Sequence, residues 1–154
     1  MATKHFWEGR RVLITGGNGM IGSAVRTTLK RLAADWFAPD RLTMNLLDPI
    51  STRSVIQGFQ PQIIFHLAGV VGGVGYNIKH PADQFRDNAL MGIHLLDSCV
   101  KNGIQKIVLL GTACSYPNGG GAKLKEISLW DGYPEQTNAP YAIARMHEGD
   151  RGRH

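Results

Sequence analysis

A tyrosine and an arginine four residues apart, Tyr141 and Arg145, carry the clearest potential for chemistry in this sequence. Positions i and i+4 lie on one face of a helix, and Pro140 with Thr137 or Asn138 as a cap predicts that a helix begins here. A phenol exchanges protons poorly at neutral pH unless a nearby cation stabilises its anion. The pair therefore predicts a proton-transfer site, and a packed aromatic residue is the alternative.

The element that must position such chemistry is a glycine-spaced turn, Gly16-x-x-Gly19-x-x-Gly22, near the amino terminus. Val12–Ile14 before it predicts a buried strand, and Ser23–Leu32 after it has the apolar spacing of a helix. Gly16 permits the tight turn, Gly19 lets the backbone approach a pyrophosphate, and Gly22 lets the helix pack on the strand. Met20 and Ile21 lie within the same motif.

The order of strand, glycine spacing and helix favours a dinucleotide-binding fold over a glycine-rich turn without a ligand. The amides of the first helical turn and the helix dipole favour a dianionic group at this end of the helix. About twenty residues further on, an acidic side chain would indicate NAD and a basic one NADP. Asp40 and Arg41 both fall there, and Arg41 favours NADP, with an ordinary exposed charge as the alternative.

Composition limits the possible functions. The chain has 154 residues, 43% of them hydrophobic, enough for one globular domain with a real core. The formal net charge of +5 comes from scattered lysines and arginines without interleaved aromatics, so we do not expect nucleic-acid binding. Cys99 and Cys114 indicate neither a disulfide framework nor a zinc site, and we expect no metal. No apolar run has membrane-spanning length and Met1–Arg11 has no signal-peptide core, so we expect a reduced cytosolic protein without a membrane partner.

Strand and helix patterns alternate along the rest of the chain. Residues 33–40 give no clear strand, and Arg41–Leu46 is the better candidate for a short one. The remaining elements are predicted as a helix from Asp48-Pro49 to Phe59 capped by Ser51 or Thr52, a strand at Gln62–Gly69, a helix at Pro81–Asn102 stopped by Gly103, and a strand at Lys106–Leu110. We predict an α/β fold, a Rossmann-type doubly wound parallel sheet with helices on both faces.

The predicted organisation is a loose leader at residues 1–10, a partial dinucleotide-binding domain at 11–145 and a disordered tail at 146–154. Asn118–Gly121 is predicted to be a glycine-rich loop. Ligands of doubly wound sheets lie beyond the carboxyl ends of the strands. Three strands end in candidate segments, Gly16–Gly22, Leu67–Gly73 and Gly111–Tyr116, and we expect them to converge.

Several stretches together resemble the GDP-L-fucose synthase family, in the sugar-nucleotide branch of the short-chain dehydrogenases/reductases. The likeness runs from about Arg11 to Arg145. It is carried by the glycine turn and by Gly22–Arg26, Asn45–Asp48, His66–Gly69 with Val71–Gly73, His80–Asp83, Gly111–Pro117 and Thr137–Ala144. Val71–Gly73 and the placement of Cys114 after Thr112 are the more selective features.

The resemblance implies a role for each matching residue. Thr112 would hydrogen-bond the C4 carbonyl of a keto sugar, and Tyr141 would donate a proton as hydride arrives from NADPH. Cys114 would move protons on the carbons beside that ketone, with a small buried thiol as the alternative reading. Asn88 falls near the nicotinamide end of the cofactor as a supporting residue, and Leu67, Ala68 and Gly69 border it.

One matching position departs from the family, because Arg145 stands where a lysine is usual. The histidine that works with the cysteine and the substrate domain of the family have no counterpart in these 154 residues, so the chain is expected to lack the later strands. The resemblance implies an NADP-dependent epimerase-reductase, or its cofactor half, that takes a GDP-sugar and forms a homodimer. An inactive NAD(P)-binding module and another NAD(P)-dependent nucleotide-sugar epimerase or dehydratase are the alternatives, and NAD is a possible cofactor.

Overall fold

A computed structural model describes residues 2–117 and 125–150. Two compact units are present: Met1–Gly69 with Ile93–Leu110 forms the first, and Val70–Gly92 with Gly111–His154 forms the second. In chain order, the elements are α1 (Ala2–Trp7), β1 (Arg11–Thr15), α2 (Met20–Arg31), β2 (Asp35–Phe37), α3 (Pro49–Phe59), β3 (Ile63–His66), α4 (Val74–Lys79), α5 (Pro81–Lys101), β4 (Lys106–Leu109), two 3₁₀ turns (Ala113–Ser115 and Glu126–Trp130) and α6 (Ala139–Asp150).

The first unit is built on a four-stranded parallel sheet with the order β2-β1-β3-β4. The chain leaves β1 for β2 on one side and then returns to place β3 on the other. Strand order therefore reverses between β1 and β3, which is the position where doubly wound sheets bind ligands. The predicted Rossmann-type parallel sheet is confirmed.

Strand residues alternate between the two faces of this sheet. Val12, Ile14 and Ile63 form one core cluster with Leu29 of α2, and all four are at most 3% exposed. Leu13 is fully buried as well, and successive side chains of a strand point to opposite faces. Burial on both faces explains why the sequence of β1 is apolar without alternation.

The prediction of a loose leader is wrong for residues 2–7, which form α1. Trp7 packs against the core cluster, with its ring 6.2 Å from that of Phe65. The link to β1 is fixed by a hydrogen bond from the Gly9 amide to the Ala33 carbonyl, 2.9 Å long. Packing of the Trp7 ring against the sheet therefore orders this segment, although most of its other residues are polar.

The second strand lies at Asp35–Phe37, and the prediction of a strand at Arg41–Leu46 is wrong. Pairing of Arg11 with Asp35 and of Leu13 with Phe37 determines β2, whatever its irregular pattern. Residues 41–43 form a turn instead, closed by a 2.9 Å hydrogen bond from the Met44 amide to the Asp40 carbonyl.

Helix α3 begins as predicted but uses a different cap. The carboxylate of Asp48 accepts a 2.8 Å hydrogen bond from the Ile50 amide. Ser51 and Thr52, the predicted caps, bond instead to the backbone of Asn45. Asp48 is one residue before Pro49, whose missing N–H is no loss at the first helical position.

The second unit contains α4, the first part of α5, both 3₁₀ turns and α6. Helix α6 continues to Asp150, so the prediction of a disordered tail is wrong for residues 146–150. Residues 151–154 and the predicted loop Asn118–Gly121 lie outside the described residues. Three large apolar side chains of α5 point outward: Phe85 is 43% exposed, Ile93 58% and Val100 83%.

Candidate functional site

The glycine turn of the first unit has the geometry that its spacing predicts. Gly16 follows β1 with φ of +72°, a conformation that favours glycine, and the Gly19 amide donates to its carbonyl at 3.1 Å. Gly19 has extended backbone angles and caps α2. The amides at the start of α2 have no side-chain cap from Gly19, so they remain suited to an anionic ligand.

The space around the three glycines shows which of them the fold needs and which a ligand needs. A Cβ on Gly16 would lie 2.6 Å from the Ala68 amide nitrogen, and one on Gly22 would collide with the Gly16 carbonyl oxygen. Among the described residues, a Cβ on Gly19 would come within 4 Å of that same oxygen alone, at an acceptable 3.4 Å. Packing therefore requires Gly16 and Gly22, while the bare backbone at Gly19 faces space that a pyrophosphate can enter.

Hydrogen bonds join the ends of β1 and β3 beside this turn. Thr15 Oγ1 and His66 Nδ1 form a buried hydrogen bond of 2.7 Å. The Leu67 amide donates to the Thr15 carbonyl at 3.1 Å, and the Ala68 amide donates to Thr15 Oγ1 at 3.4 Å. Of the predicted cofactor residues, the structure thus brings Leu67 and Ala68 next to Gly16, with Gly69 exposed just beyond them.

Met20 and Ile21 occupy the first turn of α2 with their side chains open to solvent. Met20 is 88% exposed and Ile21 43% exposed, so the apolar core makes little use of either. Apolar side chains beside an exposed anion-binding turn are suited to cover a bound nucleotide. Their predicted role in cofactor binding stays a prediction.

The two residues predicted to distinguish the cofactor differ in their surroundings. Asp40 accepts hydrogen bonds from the Thr43 amide at 2.8 Å and the Thr43 hydroxyl at 2.7 Å. The Thr43 hydroxyl, followed by the Thr43 amide, holds the pKa of the Asp40 carboxyl below its usual value. Arg41 is exposed in the same turn. Asp40 therefore has a structural task in this turn, whereas the side chain of Arg41 extends into solvent.

Sequence reasoning missed one cationic residue beside the glycine turn, Arg26 of α2. Its Nη1 donates to the Asn18 side-chain oxygen at 2.9 Å and to the Gly17 carbonyl at 3.4 Å. Its guanidinium carbon lies 5.1 Å from the centre of the Trp36 ring. In the sequence, Arg26 is an arginine four residues after Gly22, within one of the stretches that carry the family resemblance, and its significance depends on where β2 lies.

In the second unit, the residues predicted to be catalytic lie on two elements that pack together. Thr112 precedes the 3₁₀ turn Ala113–Ser115, and its Oγ1 accepts a 3.2 Å hydrogen bond from the Cys114 amide. That turn packs against α6, where the buried Ser115 hydroxyl donates to the Ala142 carbonyl at 3.2 Å. The packing brings the segment of Thr112 and Cys114 to the helical turn that contains Tyr141.

Tyr141 and Arg145 face each other along α6, as their spacing predicts. The Arg145 guanidinium carbon lies 5.7 Å from the centre of the Tyr141 ring, within the range of a cation–π contact. Arg145 is only 5% exposed, whereas Tyr141 is half-buried. A buried cation held over a partly accessible phenol is suited to stabilise the phenolate after proton donation.

Asn88 is fully buried and clamps the backbone of Val70. Its side-chain oxygen accepts from the Val70 amide at 2.9 Å, and its Nδ2 donates to the Val70 carbonyl at 2.9 Å and to the Gln84 carbonyl at 2.7 Å. These bonds give Asn88 a positioning role in this unit. Direct contact between Asn88 and a cofactor stays a prediction.

A chain of amide side chains leads from the same helix to the start of α6. Gln84 Nε2 donates to the Asn77 side-chain oxygen at 2.8 Å, and Asn77 Nδ2 donates to the Asn138 side-chain oxygen at 3.0 Å. Asn138 in turn donates to the Glu135 carboxylate at 2.9 Å. Because Asn138 immediately precedes α6, this chain fixes the first turn of the helix that carries Tyr141.

Within residues 2–117 and 125–150, no group of three or more histidine, cysteine or acidic side chains is placed to hold a metal ion. No helix of that part of the chain is both long and apolar enough to cross a membrane.

The chain is similar in sequence to known enzymes of nucleotide-sugar metabolism. A family model described as "NAD dependent epimerase/dehydratase family" matches residues 12–148. GDP-L-colitose synthase of Yersinia pseudotuberculosis is 32% identical over 136 residues, covering 88% of this chain and 44% of that protein. GDP-L-fucose synthase of Azorhizobium caulinodans is 32% identical over 138 residues, covering 90% and 44%.

A solved GDP-L-fucose synthetase from Naegleria fowleri, bound to NADP, has a similar fold. Its TM-score is 0.84 at 25% identity, over 94% of this chain and 43% of that one. The chain therefore spans about 44% of the length of the two curated relatives named above.

Proposed function

The chain belongs to the NAD dependent epimerase/dehydratase family, and on that premise we propose that it supplies the cofactor-binding and proton-transfer residues of an NADP-dependent epimerase-reductase. The proposed reaction converts GDP-4-keto-6-deoxy-D-mannose to GDP-L-fucose. Relatives named as GDP-L-colitose and GDP-L-fucose synthases support a GDP-linked sugar as the substrate. The observation that carries the proposal is the packing of the Thr112–Cys114 segment against the helix of Tyr141 and Arg145.

The first unit would hold the dinucleotide. The amides at the start of α2 and the bare backbone of Gly19 would bind the pyrophosphate. Met20, Ile21 and the segment Leu67–Gly69 would border the nucleotide. When bound, NADPH would supply the hydride for the reduction.

The second unit would supply the hydrogen bond and the proton that the reduction requires. The Cys114 amide already donates to Thr112 Oγ1, so the hydroxyl proton remains to donate to the C4 carbonyl oxygen of the sugar. Tyr141 would donate its phenolic proton to that oxygen as hydride reaches C4, which yields the alcohol and a phenolate. The buried guanidinium of Arg145 stabilises the phenolate until solvent returns the proton.

The epimerase step would use the thiol of Cys114. Protons on the carbons beside a ketone are acidic, because the negative charge that their removal leaves is delocalised onto the carbonyl oxygen. Cys114 is half-buried rather than fully enclosed, so a substrate can reach it. In its thiolate form it would take a proton from one face of such a carbon, and a water molecule would return a proton to the opposite face.

Reduction is tested by incubating the protein with NADPH and the keto sugar and following NADPH absorbance. We expect oxidation that Tyr141→Phe and Thr112→Val lower by about a hundredfold or more. Tyr133→Phe is the matched control, because Tyr133 is 65% exposed and outside the proposed site. Oxidation that persists unchanged in Tyr141→Phe would refute the assigned proton donor.

Epimerisation is tested separately by incubating the keto sugar in deuterated water without NADPH. We expect deuterium to enter the carbons beside the ketone, and Cys114→Ser to abolish this exchange while NADPH still binds. Exchange at the wild-type rate in Cys114→Ser would remove the thiol from the mechanism.

The arginine at position 145 favours a second candidate function, an NAD(P)-binding module without turnover. Arginine does not readily relay protons, unlike the lysine usual at this position, so phenolate formed at Tyr141 cannot be reprotonated through it. Tight NADPH binding without oxidation of NADPH would leave only this module. A gain of rate in Arg145→Lys would indicate an active site that the arginine impairs.

We also propose that α5 pairs with a second copy of the chain. Ile93 and Val100 lie seven residues apart on one face of the helix and are both exposed. An exposed apolar stripe on a long helix is typical of an association surface. Sedimentation should show a dimer that Ile93→Glu converts to a monomer, and a monomeric wild-type protein would contradict this pairing.

A further inference from the structure

The guanidinium of Arg26 is held at the junction of the glycine turn and the second strand. Its two hydrogen bonds run to Asn18 and Gly17 in the turn, and its guanidinium carbon lies 5.1 Å from the centre of the Trp36 ring in β2. A Cβ placed on Gly17 would lie 2.5 Å from the Ala38 Cβ and 3.5 Å from the Arg26 Cδ. The glycine turn, the end of β2 and the Arg26 side chain are therefore in contact with one another in the first unit.

In a dinucleotide-binding fold, this location is where the adenosine ribose is recognised. The adenosine ribose extends from the glycine turn toward the end of the second strand, where its 2′-oxygen is recognised. A cation at this location can bind the 2′-phosphate of NADP, whereas NAD has no charged group there. The pyrophosphate itself is bound by the backbone amides, so Arg26 is not needed for that part of the ligand.

We infer that Arg26 is the residue by which this chain selects a 2′-phosphorylated dinucleotide, an inference that rests on the dinucleotide binding proposed above. Both hydrogen bonds that Arg26 makes to described residues come from Nη1, and its buried Nε meets no acceptor among them. An arginine fork carries five N–H donors, so donors remain for phosphate oxygens.

Arg26 has an advantage over Arg41, the residue that sequence position alone selects. Arg41 is exposed in its turn and would have to be ordered when the ligand binds, which costs side-chain entropy. The Trp36 ring and the turn already hold Arg26 in one orientation. A preorganised fork binds phosphate with less entropic loss per hydrogen bond.

The test is calorimetric binding of NADP⁺, NAD⁺, 2′,5′-ADP and 5′-AMP to the wild-type chain and to Arg26→Met. We expect the substitution to weaken NADP⁺ and 2′,5′-ADP by about ten- to a hundredfold and to change NAD⁺ and 5′-AMP by about twofold or less. Arg31→Met is the matched control, because it removes the same charge from the last turn of the same helix. Arg41→Met measures the competing residue.

Each outcome is decisive. An Arg26→Met chain that keeps its preference for NADP⁺ within about twofold of the wild-type ratio overturns the inference, as does a loss of preference in Arg41→Met alone. Unchanged NAD⁺ binding shows that a variant is folded. If Arg26→Met does not fold, Arg26→Lys, which keeps the charge and loses the fork, must still weaken NADP⁺ relative to NAD⁺. A wild-type chain that binds neither dinucleotide refutes the proposed function itself.

Discussion

Replacing Asn88 by alanine should destabilise the protein strongly, because this buried amide bonds both the N–H and the C=O of Val70. The change removes three hydrogen bonds, two to Val70 and one to the Gln84 carbonyl. The Gln84 carbonyl lies inside α5, where a helical hydrogen bond can satisfy it, so the N–H and C=O of Val70 carry the cost. Two such groups at about 1–3 kcal/mol each, reduced because Val70 is half-exposed, give about 2–4 kcal/mol.

The assay is urea unfolding, with the free energy of unfolding taken from the midpoint and slope. Asn102→Ala is the matched control, because Asn102 is half-buried and its side chain makes one hydrogen bond to the described residues, from Nδ2 to the Ser98 carbonyl at 2.7 Å. We expect the control to cost about 1 kcal/mol. A loss of unfolding free energy in Asn88→Ala no larger than that in the control would refute the proposed role of Asn88 in holding the backbone of Val70.

An isosteric change at the same position makes the prediction depend on pH. In Asn88→Asp, the new carboxyl faces the Val70 and Gln84 carbonyl oxygens in a fully buried position, which disfavours its ionised form and raises its folded-state pKa. The unfolded chain binds fewer protons than the folded chain once pH exceeds about 4, so stability falls as pH rises from there toward the raised value. A stability difference from wild type that does not change between acidic and neutral pH would contradict this environment.

Three further predictions concern the turn, the thiols and a helix cap. Gly16→Ala should destabilise the fold by at least about 2 kcal/mol in thermal unfolding, because its positive φ and the close backbone contact both oppose a Cβ, whereas exposed Gly58→Ala in α3 should stabilise it by about 0.5–1 kcal/mol. Burial raises the pKa of Cys99 to about 12, so a disulfide reagent should modify only Cys114 until the chain is unfolded, and rapid reaction of both thiols would contradict this. Asp48→Ala should cost about 1 kcal/mol through the lost cap, and an unchanged unfolding midpoint would show that the cap contributes nothing.

The features that the sequence predicted well are those with local signals. The Gly16–Gly22 turn, β1, α5 with its stop at Gly103, and the facing of Tyr141 and Arg145 each follow from spacing within one element. The alternation of strand and helix patterns along the chain predicted the parallel sheet. Each of these depends on few residues that are close in sequence.

The features that were missed depend on partners far away in the chain. The strand at Asp35–Phe37 exists because it pairs with β1, and α1 is fastened because Trp7 reaches the sheet. The significance of Arg26 required the position of β2, and the amide chain through Gln84 joins segments that no motif connects. Side-chain pattern alone contains none of this pairing information.

The central claim, that the bare backbone at Gly19 receives the pyrophosphate of a dinucleotide, is tested most directly by calorimetric binding of NADP⁺ to Gly19→Ala. The fold should tolerate the change, since the backbone of Gly19 is extended and the nearest contact of a Cβ there, within the described part of the chain, is the Gly16 carbonyl oxygen at 3.4 Å. We predict an unfolding midpoint close to that of the wild type together with a loss of NADP⁺ affinity of about tenfold or more. A stable Gly19→Ala chain that binds NADP⁺ as tightly as the wild type would contradict the account.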